Sequence, residues 1–171
     1  MKNEMAVGVV AVRNKPTIDE ILAAVFVQWW SWARVQVKFV PADDPRIKMG
    51  KEVMLLGMGG GDFDLRSFYE NGHRPQDECI STLVAFFFHK AEDPYLKLLL
   101  DAVLADDING TSHRVAQLLG IGELHQMYAS RMSGAAIMQV VSKAAAKFYR
   151  KQQAEAKKKQ PEKKKELART A

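Results

Sequence analysis

Residues 5–12 (MAVGVVAV) form a short, valine-rich apolar run. The polar turn Arg13-Asn14-Lys15-Pro16 follows it, and then apolar residues recur at helical spacing. This pairing constrains the fold more than any other feature of the chain. A strand that is apolar at nearly every position is buried on both faces, which is the habit of a parallel sheet covered by helices. The spacing of Ile18, Ile21, Leu22, Val25, Phe26, Trp29, Trp30 and Ala33 predicts the first covering helix. Thr17 and Glu20 stand three apart at its start. That is the pattern of a capping box, in which each side chain accepts the other residue's backbone amide.

Further along, residues 35–40 (VQVKFV) alternate and are β-branched, which predicts a second strand. Pro41-Ala42-Asp43-Asp44-Pro45 reads as a turn. Residues 53–58 (VMLLGM) predict a third strand, which runs into Gly59-Gly60-Gly61. The stretch 59–75 is polar, glycine-rich and long for a structureless connection, which points to function or disorder. Helical spacing returns at Cys79, Leu83, Phe86 and Phe87. Asp93-Pro94 reads as a cap with proline at the first helical position, opening a helix through Leu104. Thr111 or Ser112 caps another helix that ends near Gly120, and residues 123–150 are mostly helical. The order predicts an α/β fold: a small, mostly parallel sheet flanked by helices, followed by a helical C-terminal half and a basic tail. Crossovers are expected to be right-handed. Ligand sites in such sheets lie at the carboxyl ends of the strands, which puts residues 13–19 and 59–73 on one edge.

The charge divides the chain. Residues 143–171 carry 11 Lys/Arg against 3 Glu, whereas residues 1–142 carry 14 basic and 17 acidic residues. The expected organisation is therefore an α/β domain over 1–150 and a basic tail over 151–171, either disordered or a solvent-exposed helix. Pro161 is predicted to interrupt any helix there. Lys157, Lys158, Lys159, Lys163, Lys164 and Lys165 make the tail a counter-charge for nucleic-acid phosphates or an acidic partner. Lysines on a flexible chain do not read bases, so such binding is expected to be sequence-indifferent and salt-sensitive. No apolar stripe accompanies them, so no membrane partner is expected. The longest apolar runs, such as residues 83–88, fall far short of the roughly 18 residues of a membrane span. Without a leader pattern, the expected location is cytoplasmic. One cysteine, Cys79, excludes an internal disulfide framework and a cysteine-rich zinc site; it reads as a core thiol.

Several residues have both an ordinary reading and a chemical one. Asp19 and Glu20 either stabilise a helix N-terminus or, in the case of Asp19, supply a hard-cation ligand. Asp62, Asp64, Glu70 and His73 either sit in a solvated loop or gather round an ion, where the preceding glycines permit close approach. Asp106-Asp107 form a helix end or the far wall of a metal cleft. His113 and His125 read as surface histidines. Neither a phosphate-binding glycine fingerprint nor a serine nucleophile elbow is present. The aromatic sets Trp29, Trp30, Trp32 and Phe86-Phe87-Phe88 cannot each face one core, because successive helical positions turn about 100°. At least one of each is expected to be exposed or to lie in a homodimer contact.

Residues 17–23 (TIDEILA) resemble the His-x-Asp-Glu-x-x-Ala segment of the DHH phosphoesterase superfamily. The nearest branch is its metal-dependent exonuclease group, named after the melanocyte proliferating gene. Residues 40–64 resemble that branch's strand, Asp-Pro, strand, Asp-Val-Gly-Gly and aromatic-Asp order. Residues 104–110 (LADDING) are similar to its Ile-Asp-Asn-Gly segment. The resemblance spans residues 5–112 and is carried by order and spacing. It implies a site in which clustered histidines and aspartates hold two ions, manganese or magnesium, that activate water against a phosphodiester. Here Thr17 replaces the first histidine, Gly57 the aspartate of Asp-Val-Gly-Gly, and Tyr69-Glu70-Asn71 the Asp-His-His triplet. The resemblance leaves Asp19 and either Asp106 or Asp107 at ligand positions, with His73 a substitute from two residues further on; the expected metal ligands are Asp19, Asp62, His73 and Asp107. The expectation is a degenerate relative: a non-catalytic or weakly active DHH-like domain that binds a partner or nucleic acid. The alternative is a divalent-metal-dependent phosphoesterase or exonuclease acting on nucleotides or short nucleic acids.

Overall fold

Three short strands lie side by side in the order β2-β1-β3, all parallel. They are β1 (Val9–Arg13), β2 (Gln36–Val40) and β3 (Val53–Leu55). The computed structural model describes residues 7–41, 52–58, 63–64 and 77–170, with side chains as far as Lys158. Val9 of β1 stands opposite Gln36 on one side and Val53 on the other. The central strand is therefore hydrogen-bonded along both edges, and Val10, Ala11 and Val12 are fully buried. This is the α/β architecture that the apolar run implied.

Helix α1 (Ile18–Trp30) follows β1 and is buried at every position from Ile18 to Val27. A helix apolar on all sides belongs in the middle of a fold rather than on its surface. Here it packs against β1 and three helices: α2 (Ile80–Phe87), α3 (Lys97–Asn109) and α6 (Gly134–Thr170). Phe26, fully buried, stacks on Trp30 with ring centroids 4.7 Å apart. Truncating a core aromatic of this kind costs about 3–5 kcal/mol. The helical half continues through α4 (His113–Leu119) and α5 (Leu124–Ala129). Gly110 and Gly120 end α3 and α4 at φ 65° and 67°, the left-handed turn that a side chain would strain.

The structure departs from the sequence expectation in three places. Helix α3 begins at Lys97 rather than at Pro94 and runs on to Asn109. Asp93 instead closes a turn: its carbonyl accepts the Leu96 amide and its Oδ1 the Tyr95 amide at 2.9 Å. Its Oδ2 accepts the Tyr149 hydroxyl at 2.9 Å, which ties that turn to α6. Strand β3 is three residues long, because Gly57 at φ 70° turns the chain after it. Helix α6 continues past Pro161 to Thr170 as one element. Proline removes one amide donor there, but the lysines, glutamates, leucine and alanines around it are good helix formers.

One aromatic of each set is exposed: Phe86 at 75% on α2, as the helical turn angle required, and Trp32 at 69%, two residues past the end of α1 rather than on it. None of the described helices is long and apolar enough to cross a membrane. The expected turn at 42–45, the glycines 59–61, Asp62, and residues 65–76 with Tyr69, Glu70, Asn71 and His73 lie outside the described residues. So do the side chains of Lys159, Lys163, Lys164 and Lys165.

Candidate functional site

The carboxyl edge of the sheet brings together the end of β1, the N-terminus of α1, the turn after β3 and the N-terminus of α2. The capping box at α1 forms as the sequence predicted. Glu20 donates its amide to Thr17 Oγ1 at 3.3 Å, and the Thr17 amide donates to Glu20 Oε2 at 2.7 Å. Glu20 is fully buried, and a second partner explains how it tolerates this. Arg13, the last residue of β1, donates from Nε to both carboxylate oxygens at 2.7 and 2.9 Å, and from Nη2 to Oε1. Burial pushes the Glu20 carboxyl above its ordinary range, and Arg13 and the Thr17 amide pull against that rise.

Gly57 lies directly against this pair. A Cβ built on Gly57 would overlap the Glu20 carboxylate, and φ 70° already disfavours a side chain there. Gly57 is the position at which the resemblance implies a metal-binding aspartate. In this chain its space holds the Glu20 carboxylate, neutralised by a guanidinium.

Asp19, also fully buried, is used differently. The Ile80 and Ser81 amides donate to its Oδ2 and Oδ1, each at 2.8 Å, and the Ser81 hydroxyl donates to its backbone carbonyl at 2.8 Å. These amides open α2, so Asp19 is an N-cap supplied by a residue 61 positions away. A carboxylate at a helix N-terminus contributes about 1 kcal/mol, more when buried. Burial raises the Asp19 carboxyl, opposed by the bonds from Ser81, Ile80 and the Cys79 thiol. Cys79 is buried, and burial followed by the Asp19 charge pushes its thiol well up, away from the thiolate.

Asp106 repeats the device. Its Oδ1 accepts the Thr111 hydroxyl at 2.8 Å and the Arg114 amide at 3.1 Å, and its Oδ2 the Val115 amide at 2.8 Å. It thus caps α4. Of Thr111 and Ser112, either one expected to cap this helix, Ser112 holds the N-cap position, but its hydroxyl accepts the Leu124 amide at 2.8 Å, where α5 begins.

Asp19 and Asp107 do come together. With Cys79 they offer ligand atoms within 4.8 Å of one another, the one such group among the described residues. Asp107 is half-buried and lines a cleft of about 350 Å³ with Thr17, Ser112, Glu123, His125 and Tyr128. Glu123 accepts from His113 Nδ1 at 3.0 Å and approaches His125 Nδ1 at 3.5 Å, and both histidines are exposed. Tyr128 donates its hydroxyl to the Pro16 carbonyl at 2.9 Å, and burial raises that phenol to about 12. Asp64 is buried rather than solvated.

A pair of hard cations about 3.5–4 Å apart needs several anionic oxygens and imidazoles. Asp19 has both oxygens on amides, Cys79 is a soft donor, and Glu20 faces Arg13. Among the described residues this edge offers Asp19 and Asp107 with the soft donor Cys79, while the expected ligands Asp62 and His73 lie outside the described residues. The Arg13–Glu20 pair was missed in the sequence, although an arginine ending a strand seven residues before a helix-opening glutamate was its signal. The remote caps carried no local signal at all. No family model, curated protein or solved structure matches this chain.

Proposed function

We propose that this chain is a non-catalytic, DHH-like cytoplasmic domain that binds nucleic acid through its lysine-rich C-terminal helix. The observation that supports this reading is the engagement of both Asp19 oxygens by the α2 amides, beside a Glu20 carboxylate held by Arg13. Carboxylates committed to caps and an internal ion pair leave little for metal chemistry, while α6 carries an excess of positive charge. Lys157, Lys158, Lys159, Lys163, Lys164 and Lys165 are the residues that would meet phosphates. Binding of this kind is indifferent to sequence and falls steeply with salt.

The approach of Asp19, Cys79 and Asp107 to within 4.8 Å favours a second reading, a metal-dependent phosphodiester hydrolase. Two parallel assays separate the readings. The full chain is given bis(p-nitrophenyl) phosphate with manganese, and in parallel a fluorescein-labelled oligonucleotide at about 50 mM salt. The first reading expects no hydrolysis above the metal blank, and oligonucleotide binding that is lost when the six lysines become glutamine. Hydrolysis that requires manganese and falls in Asp107→Asn would replace it with the second.

A further inference from the structure

Helix α6 carries its positive charge on the packed domain as well as beyond it. Ile137, Val141, Ala145 and Phe148 are buried, and the helix packs through them against α1 and α4. Successive residues turn about 100°, so Lys143, Lys147, Arg150, Lys157 and Lys158 fall within one arc of about 100° facing away from that buried side. All five are exposed. Lys151 sits at the edge of the arc and pairs at 3.8 Å with Glu155, the one acidic residue between Gly134 and Lys158. At 1.5 Å per residue the row is about 22 Å long.

From this we infer that the exposed face of α6 is a track for the phosphate backbone of duplex nucleic acid, beginning at Lys143 inside the folded domain. The inference rests on the nucleic-acid reading above and extends its surface from the terminal lysines onto the globular body. The chemistry of the face selects the partner. Proteins that hold single strands add aromatic platforms on which bases stack. The exposed arc carries none: Phe148 is buried, and Tyr149 turns its hydroxyl to Asp93 and its ring toward Trp29 and Tyr95. A membrane-surface helix needs an apolar face free to enter lipid, and the apolar face of α6 is occupied by α1 and α4. What remains is a straight row of cations, which suits the regular backbone of a duplex.

The test uses the full chain carrying Lys143→Gln, Lys147→Gln and Arg150→Gln together. Its affinity for a fluorescein-labelled mixed-sequence duplex is followed by anisotropy across a salt series. Each phosphate contact steepens the salt dependence by about 0.9 in log–log slope. The triple variant should therefore show a slope shallower by about 2.7 and bind about tenfold more weakly at low salt. An unchanged melting temperature by circular dichroism should accompany this, and the matching arginine variant, Lys143→Arg with Lys147→Arg, should retain binding. Unchanged affinity and slope in the triple variant would overturn the track while leaving the terminal lysines, and the proposed function, in place. Failure of the unaltered chain to bind any duplex or single strand at low salt would overturn both. Tighter binding to a single strand than to the duplex, or to phosphatidylserine vesicles than to either, would overturn the choice of partner.

Discussion

Arg13 and Glu20 show at the level of single residues how this sheet edge accommodates a buried carboxylate. A buried carboxylate requires partners that offset its desolvation, and for Glu20 one of them is a cationic side chain from the same βα unit. Replacing Arg13 with methionine would leave Glu20 buried with only the Thr17 amide to hold it. Arg13 is 41% exposed, so solvent softens the loss, and the expected destabilisation at neutral pH is about 2 kcal/mol. The pH dependence has a definite sign. Burial already raises the Glu20 carboxyl above its unfolded value, and removing Arg13 raises it further. A raised carboxyl binds its proton in the folded state first, so folding gains stability as pH falls through the folded value. The deficit of Arg13→Met in denaturant melts should accordingly shrink between pH 7 and pH 5. An equal deficit at both pH values would show that the ion pair does not govern this site.

At the scale of elements, what was legible in the sequence was what is encoded locally. The Thr17/Glu20 box, the apolar run of β1, the helical spacing of α1 and the glycine end of α4 each lie within a few residues of the structure they specify. The start of α3 was misread because Asp93 has a local alternative: its side chain satisfies the Tyr95 amide in a turn, and Tyr149 holds it there from α6. The roles of Asp19 and Asp106 were not legible for a related reason. An aspartate in a helix can be surface decoration, metal ligand or remote cap, and only the position of α2 or α4 in space decides. The resemblance brought Asp19 and Asp107 to notice, and the fold does set them side by side. It could not foresee that the α2 amides would take both Asp19 oxygens, because the partners lie 61 and 62 positions along the chain.

Among the described residues, a basic face along α6 contrasts with exposed aromatic side chains elsewhere. Exposed Phe86 adjoins Phe87, which meets Phe63 at 5.6 Å and Phe88 at 5.1 Å. Trp32 is exposed just beyond α1. Aromatic side chains left in water favour association, and we propose a homodimer joined through them. Light scattering should give twice the 19.2 kDa chain mass and revert to one chain in Phe86→Ser with Trp32→Ser. A single-chain mass for the unaltered protein at micromolar concentration would exclude the dimer. The central claim, that the carboxylates of the sheet edge hold helices and an arginine rather than a pair of ions, is tested most directly by calorimetric titration of the full chain with manganese. The account predicts no saturable heat at micromolar metal, and the same flat titration for Asp107→Asn. A saturable micromolar heat with two ions per chain, abolished by Asp107→Asn, would contradict it.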